Sequence, residues 1–313
     1  MKANKILRQS LTKLLKKRPV RQCFYLDYQI AKTYEGWLYR LSSTASEDLL
    51  LVYQMGKVGS TTLVRSLQAA VPGAHVYHVH ALTPTAITRH HRLYQQNFLR
   101  GRTIPRHHLE SVYLRRLLDT AEATNKYWKV VTLVRDPVAR NVSSFFQTLD
   151  LYFGVGDKLR SSEPRELVPE LQELFRQSYE TQRFEFRHDT PLTWLESELE
   201  AVFAVDVYRC EFPTHKGYQI FGQGNIQVLL LRLENLNSCA QEAFQEFLGL
   251  GDFTLVRGNV GVVKDYRQLY RDFKQSAAIP KWYLRKMYTS RYARHFYTQD
   301  EIDRLMLQWS AAQ

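Results

Sequence analysis

The stretch Leu49-Leu50-Leu51-Val52-Tyr53-Gln54-Met55-Gly56-Lys57-Val58-Gly59-Ser60-Thr61-Thr62 contains the pattern that decides the fold class. Its first part, residues 49–53, is a continuous apolar run, and a glycine-containing turn follows it. Short continuous apolar runs are typical of buried parallel strands. Apolar residues then recur at helical spacing from Leu63 to Val71, before Pro72-Gly73. The stretch therefore predicts a strand, a loop and a helix that ends at the Pro-Gly pair.

The remainder of the chain alternates between strand-like and helix-like segments. Further strands are predicted at residues 75–80, 128–134, 217–220 and 226–231, and helices at 109–118, 137–149, within 160–200, at 240–248 and from 265 onward. Residues 84–107 are polar and rich in histidine and arginine, and we expect a long excursion there. This alternation predicts an α/β fold with three layers, in which helices cover both faces of a central parallel sheet. A basic helical N-terminal extension, residues 1–45, precedes the α/β domain, residues 46–313.

The distribution of charge along the chain narrows the classes of function that are possible. Eight of the basic residues behind the net charge of +12 lie in residues 1–21, where no acidic residue occurs. Because a nucleic-acid-binding domain needs basic charge across a folded face, we expect no nucleic-acid partner. Residues 1–21 would instead form either a basic amphipathic helix on an anionic membrane surface or a solvated terminus.

The spacing of the cysteines and the lack of a membrane span or secretory signal indicate the cellular compartment. The three cysteines are far apart, which argues against a disulfide framework and a cysteine zinc site. There is no apolar run of about 18 residues that would span a bilayer, and no secretory signal. We expect a cytoplasmic protein, with membrane association depending on residues 1–21.

The loop after the first predicted strand has the composition of an anion-binding site. Gly56 and Gly59 let backbone N–H groups converge on an anion, the next helix adds its N-terminal partial charge, and Lys57 adds a full charge. The lysine precedes the second glycine, and no GK[ST] occurs in the chain. The loop therefore differs from the G-x-x-x-x-G-K-[ST] loop of ATP- and GTP-hydrolysing proteins. Taken alone, it is equally compatible with a tight turn capped by Ser60.

A second polar motif, Val134-Arg135-Asp136-Pro137, follows the predicted strand 128–134. Asp136 is predicted to cap the next helix, with Pro137 in its first turn. Ligands of open α/β sheets bind outside the carboxyl ends of the strands, so Arg135 would point into the same crevice as Lys57. Ser143 lies eight residues after Arg135, in the next helix. An arginine and a hydroxyl can bind one phosphate together. The alternative is an ion pair between Arg135 and a nearby aspartate.

The two motifs together resemble the PAPS-dependent sulfotransferases, where PAPS is 3′-phosphoadenosine-5′-phosphosulfate. The resemblance implies a P-loop-like fold, a 5′-phosphosulfate site in the first loop and a 3′-phosphate site at the second motif. The segments Asn125-Lys126-Tyr127-Trp128 and Ser143-Ser144-Phe145-Phe146 are similar to a bacterial branch of capsular polysaccharide synthesis proteins. The residues that this resemblance assigns to the cofactor are Lys57, Val58, Gly59, Ser60, Thr61, Thr62, Arg135, Ser143 and, from a basic loop, Arg257.

The resemblance also implies a histidine base just past the second strand. His78 and His80 lie there, on one face of the predicted strand, and we prefer His80 because it is nearer the carboxyl end. His78, which stands where the family has lysine, remains the alternative. Seven of the ten histidines lie between positions 75 and 108, but at no familiar metal-ligand spacing, so we expect no metal.

The sequence thus predicts a sulfotransferase that releases 3′,5′-ADP and acts on a hydroxyl-bearing acceptor, with a glycan or polysaccharide preferred. Five arginines would suit an anionic glycan: Arg89, Arg92, Arg100, Arg102 and Arg106. Two alternatives stay open. One is a nucleotide kinase or NTPase with a P-loop, and the other is a non-catalytic basic protein that docks on membranes or nucleic acid. The sequence leaves the acceptor and the oligomeric state open.

Overall fold

The protein is described by a computed structural model. The described residues are 28–29, 31–33, 36–37, 48–98, 104–149, 164–180, 187–256, 267–276 and 279–310. The predictions for most of the N-terminal extension, for Arg257 and for Arg100 and Arg102 lie outside the described residues.

Five strands form one sheet in the order β2-β1-β3-β5-β4. Their bounds are β1 Asp48–Tyr53, β2 Val76–Val79, β3 Tyr127–Val134, β4 Tyr218–Gln223 and β5 Ile226–Arg232. β1 pairs in parallel with β2 and β3, and β3 pairs in parallel with β5. The carboxyl ends of these four strands therefore lie along one edge of the sheet.

The prediction of a wholly parallel sheet is wrong at one edge, where β4 pairs antiparallel with β5. Only Gly224 and Asn225 join the two strands, and Gly224 has a φ of 58°. A two-residue connection suits a tight hairpin, whereas a parallel neighbour needs a crossover of a dozen or more residues. The central sheet is thus mostly parallel.

Eleven α-helices of five or more residues surround this sheet in the described part of the chain. Their bounds are α1 Ser60–Ala70, α2 Pro84–Phe98, α3 Arg106–Leu118, α4 Pro137–Thr148, α5 Pro164–Glu180, α6 Thr190–Trp194, α7 Leu236–Leu248, α8 Arg267–Ser276, α9 Lys281–Tyr288, α10 Arg291–Phe296 and α11 Gln299–Ser310. The prediction of a helical C-terminal region is confirmed by α8 to α11. α6 continues into a π-helical segment, Leu195–Glu200.

Burial explains why the first strand has no polar alternation. Every residue of β1 after Asp48 is buried, which places its side chains against packed elements on both faces of the sheet. α1 packs on β1 and β2, while α7 packs on β4 and β5. The apolar run at residues 49–53 therefore corresponds to a central strand covered on both sides, as predicted.

The segment 84–107, predicted as a long excursion, contains the helix α2 over Pro84–Phe98. The composition of this segment did not predict a helix because few apolar residues lie in it. Ala86 is buried, and the helix packs against α3. Tertiary contact with a neighbouring helix thus stabilises a segment whose own sequence favours solvent.

A buried carboxylate joins the ends of β1 and β2. Glu198, in the π-helical segment, accepts a 2.6 Å hydrogen bond from the Tyr53 hydroxyl at the end of β1. It also accepts from the Leu82 N–H at 2.8 Å and from the Thr83 N–H and hydroxyl. The Trp194 indole N–H donates to the His80 carbonyl at 3.1 Å. Trp194 and Glu198 therefore hold the end of β1 and the turn after β2 in place. π-Helical turns are often found at functional sites.

No helix of the described residues is both long and apolar enough to cross a membrane.

Two glycines of the loop after β1 allow a matched test of its backbone. Gly59 has a φ of 95°, and a Cβ there would lie 2.7 Å from Leu233 Cδ1. Gly56 lies outside the left-handed region, and a Cβ there would contact nothing within 4 Å. Gly59→Ala is expected to lower the free energy of unfolding by about 1–3 kcal/mol, because alanine is strained in this conformation. Gly56→Ala should change it by much less. Thermal or urea unfolding measures both, and equal effects would contradict this account.

Candidate active site

The loop from Gln54 to Gly59 leads from β1 into the N-terminus of α1. Lys57 has a φ of 75°, and it is one of two non-glycine residues with positive φ in the described chain. Strained backbone of this kind is concentrated at functional sites. Gly59 precedes α1, and no side chain caps that helix or brings an acidic group into its first turn. The first N–H groups of α1 therefore have no intrahelical acceptor and favour an anion.

Three side chains from other elements donate hydrogen bonds to carbonyls of this one loop. His80 Nδ1 lies 2.8 Å from the Gln54 carbonyl oxygen. Arg140 Nε donates to the Gly56 carbonyl at 3.1 Å, and an Arg135 guanidinium nitrogen donates to the Lys57 carbonyl at 2.8 Å. The bonds hold the loop at the carboxyl edge of the sheet. They also bring Lys57, Arg135 and His80, which the sequence placed in two separate motifs and a strand, into one site.

The turn that carries Arg135 is held by the C-terminal helices. The Tyr292 hydroxyl accepts from the Arg135 N–H at 2.9 Å and donates to the Arg135 carbonyl at 2.8 Å. Asp136 caps α4 by accepting from the Val138 and Ala139 N–H groups, as predicted. It also accepts from the Tyr288 hydroxyl and the Trp309 indole N–H. The predicted alternative of an Arg135 ion pair with Asp136 does not occur, because these neutral donors and the helix N-terminus satisfy that carboxylate.

The C-terminal tyrosines and Glu234 are structural. Tyr283, Tyr288, Tyr292 and Tyr297 are buried, in agreement with packing at helical spacing. Glu234 accepts from the Asp136 N–H at 2.8 Å and from the Tyr297 hydroxyl at 3.1 Å. Tyr288, Tyr292 and Glu234 therefore position the Arg135 turn, and Glu234 is itself exposed.

A cluster of histidines lies beside the loop. The rings of His78 and His80 are 4.7 Å apart between centroids, so the two histidines do share one side of β2. His107 of α3 lies 4.9 Å from His80 and 6.1 Å from His78. The Tyr94 hydroxyl is 2.7 Å from His107 Nε2. The helices α2 and α3 therefore line the site around the candidate base.

Burial keeps these imidazoles neutral. Desolvation, with a contribution from Arg140 and Lys57, lowers the pKa of His80 below its ordinary value. Desolvation and neighbouring positive groups lower the pKa of His78 to about 3 and that of His107 to about 2. A neutral imidazole can accept a proton at neutral pH, and a lower pKa makes it a weaker base. His80 is the member of the group that contacts the loop directly.

The other predicted residues lie on the same edge of the sheet, with different exposure. Val58 is buried and therefore offers only its backbone, whereas Thr61 is exposed and Ser60 and Thr62 are half-buried. Ser143 is half-buried in α4. Arg257 lies outside the described residues, although the N–H of its neighbour Val256 donates to Ser66 of α1 at 2.8 Å. The described residues contain no group of three or more side chains suited to a metal ion.

Sequence reasoning missed two buried polar residues of this site. Arg140 is the arginine that donates to Gly56, and it belongs to the first turns of α4. Its place three residues after Pro137 was a usable signal, because Arg135 and Arg140 then frame the same helix N-terminus. Gln54 is fully buried, and neither its amide nitrogen nor its amide oxygen has a hydrogen-bond partner in the described structure. An orphaned buried amide is uncommon and marks a position where a ligand or water would bind.

Comparison with known proteins gives one match. The NKWYS family model, described as "Putative capsular polysaccharide synthesis protein", matches residues 172–298, which is less than half of the chain. The matched segment includes Glu198 and Tyr292, and it excludes the loop at residues 54–59, His80 and Arg135. No curated protein and no solved structure matches the chain. The comparison supports similarity to capsular polysaccharide synthesis proteins in the segment 172–298, which supplies contacts that hold the site in position.

The neutral histidines predict a loss of stability in acid. A histidine whose pKa is lowered by folding binds fewer protons when folded, so it contributes stability above pH 6.5 that is lost as the pH falls toward the folded pKa. Each such group adds about 1.4 kcal/mol per pH unit to the slope of the unfolding free energy in that window. His107→Gln should reduce the slope between pH 6.5 and 4 by about this amount.

The matched control is His215→Gln, because His215 is exposed and outside the cluster. It should leave the slope unchanged. Urea unfolding at several pH values measures both variants. Identical slopes for wild type and His107→Gln would contradict the neutral burial of His107.

Proposed function

We propose that this protein is a sulfotransferase that transfers a sulfuryl group from PAPS to a hydroxyl group of a glycan or polysaccharide. The observation that carries the proposal is the 2.8 Å hydrogen bond from Arg135 to the Lys57 carbonyl. It joins two separate features with anion-binding groups, the loop before α1 and the Arg135 turn before α4, into one site. A nucleotide with phosphates at both its 3′ and 5′ positions suits two such features.

The residues present fit the donor. Lys57, the uncapped N-terminus of α1 and the hydroxyls of Ser60, Thr61 and Thr62 would bind its 5′-phosphosulfate end. Arg135 and Ser143 would bind the 3′-phosphate, with Arg257 as a further candidate. PAPS supplies an activated sulfuryl group, and the chain's own residues bind and orient it.

His80 would act as the base. It takes the proton from the acceptor hydroxyl as that oxygen bonds to sulfur. The bond from sulfur to the bridging oxygen breaks, and its electron pair leaves with 3′,5′-ADP. Lys57 stabilises the charge that develops on this leaving oxygen. Neutral His80 beside the loop is suited to this role, whereas His78 lies farther back on β2.

The surroundings of His80 support a polar acceptor. α2 and α3 bring Tyr94 and His107 to this side of the site, and the same two helices include the exposed Arg89, Arg92 and Arg106. The two described helices contain one acidic residue, Glu110, which Arg106 pairs with at 2.9 Å. Excess positive charge there favours an anionic glycan. The similarity of residues 172–298 to capsular polysaccharide synthesis proteins supports the same acceptor class.

Binding of 3′,5′-ADP tests the donor assignment. Wild type should bind it without added metal, and Lys57→Ala and Arg135→Ala should each weaken binding by about 10- to 100-fold, because each removes a charge-assisted hydrogen bond. Isothermal titration calorimetry gives the three dissociation constants.

The control for this titration is Lys126→Ala. Lys126 precedes β3 at the opposite edge of the sheet and should leave the affinity unchanged. Absence of binding by wild type, or binding of ATP only with magnesium, would reject the sulfotransferase proposal and favour a nucleotide kinase or NTPase.

Transfer of labelled sulfate from PAPS to anionic and neutral glycans tests the base. His80→Asn should reduce kcat by about 10²- to 10⁴-fold, because general base catalysis is lost, while the affinity for 3′,5′-ADP stays unchanged. His78→Asn should retain more activity. The wild-type rate should persist below pH 6.5, since the lowered pKa of His80 keeps it unprotonated there. A larger loss in His78→Asn than in His80→Asn would assign the base to His78 instead.

A further inference from the structure

Two arginines of the described chain are buried, and they differ in how their charge is balanced. Arg232, 4% exposed, forms two 2.8 Å hydrogen bonds with the carboxylate of Glu301. Arg140, 7% exposed, has no carboxylate within ion-pair distance in the described structure. A buried charge without a counter-charge is costly, so such a residue requires an explanation.

The contacts of Arg140 are all to neutral groups. Its Nε donates to the Gly56 carbonyl at 3.1 Å, and a terminal nitrogen donates to Asn141 Oδ1 at 3.0 Å. Asn141 in turn donates to the His188 carbonyl at 2.8 Å and to the Tyr283 hydroxyl at 3.0 Å. This network fixes the orientation of the Arg140 side chain without neutralising it.

Ionisable groups of both signs lie near Arg140. Desolvation is the main cause that lowers the pKa of Arg140 to about 10, so it stays charged at neutral pH. Tyr283, Tyr292 and Asp189 raise this pKa, and Arg135 lowers it. Arg140 thus contacts the loop before α1, and its charge lowers the pKa of the candidate base His80.

We propose that Arg140 is a third anion-binding residue of this site, and that it contacts the 5′-phosphosulfate end of the donor from beneath the loop. Its bond to Gly56, together with its closeness to His80, assigns Arg140 to the 5′ end. Arg135 also bonds to this loop, and its assignment to the 3′ end with Ser143 comes from the proposed function. The inference rests on the proposed function for the identity of the donor. Binding of the anion would supply the counter-charge that the described protein does not provide, so Arg140 contributes to ligand binding in addition to holding the loop.

A ligand-and-variant comparison separates the two ends of the site. Calorimetry with 3′,5′-ADP and with adenosine 5′-phosphate is performed on wild type, Arg140→Met, Arg140→Lys and Arg135→Met. Arg140→Met should weaken binding of both ligands by the same factor, about 10- to 100-fold, because both contain the 5′-phosphate. Arg135→Met should reduce the preference for 3′,5′-ADP over adenosine 5′-phosphate. Arg140→Lys should recover part of the affinity.

Thermal unfolding distinguishes an arginine that binds the ligand from one that only stabilises the fold, because only the first changes the ligand-induced shift in melting temperature. Arg232→Met is the matched control: it should lower the melting temperature of the ligand-free protein and keep the shift caused by 3′,5′-ADP. Arg140→Met should lower the ligand-free melting temperature much less and lose the ligand-induced shift. The ligand-induced shift in melting temperature is also measured with inorganic pyrophosphate, which contains no nucleoside.

The outcomes distinguish this inference from the proposed function. If wild type ignores 3′,5′-ADP but is stabilised by pyrophosphate only when Arg140 is present, the donor assignment fails and the anion site stands. If Arg140→Met binds 3′,5′-ADP and pyrophosphate as wild type does, the inference about Arg140 is overturned and the sulfotransferase proposal is unaffected. If wild type responds to neither ligand, both are overturned.

Discussion

The hydrogen bonds to the carbonyl oxygens of Gln54, Gly56 and Lys57 are the constraint on which the rest of the site depends. A backbone loop with Lys57 at positive φ is strained, and it keeps this conformation only if its surroundings hold it. His80, Arg140 and Arg135 bind its carbonyls from other elements. The same bonds place the candidate base and two cations against one loop, so the groups of the proposed chemistry also stabilise the loop conformation.

Each donor to the loop is itself held by a more distant segment. Tyr292 binds both backbone groups of Arg135, and Trp194 binds the carbonyl of His80. Glu198 ties the end of β1 to the turn after β2. These three residues lie within the segment 172–298 that matches the capsular polysaccharide family model. The matched segment thus supplies positioning contacts. The part of the chain before it supplies the loop, the histidines and the arginines of the proposed chemistry.

The contrast between the two buried arginines shows how the same residue type has separate uses in one fold. Arg232 is neutralised by Glu301 and also donates to the Phe296 carbonyl, so it joins β5 to the C-terminal helices. Arg140 is oriented by neutral partners and keeps its charge available. A protein interior tolerates the second arrangement only where a ligand or solvent balances the charge. The location of that charge beside the loop connects it with the proposed donor site.

The sequence by itself determined the local pattern: the buried strand 49–53, the glycine loop, the Asp136 cap and the helical C-terminal region were all readable, because they depend on neighbouring residues. It also indicated that Lys57, His80 and Arg135 lie at strand ends. Only the tertiary structure decided the antiparallel edge strand β4, the helix α2 and the roles of Arg140, Glu198 and Tyr292. Their partners are distant along the chain, as with Glu198 and Tyr53 or Tyr292 and Arg135. Packing chooses such partners, and no local pattern of residues specifies them.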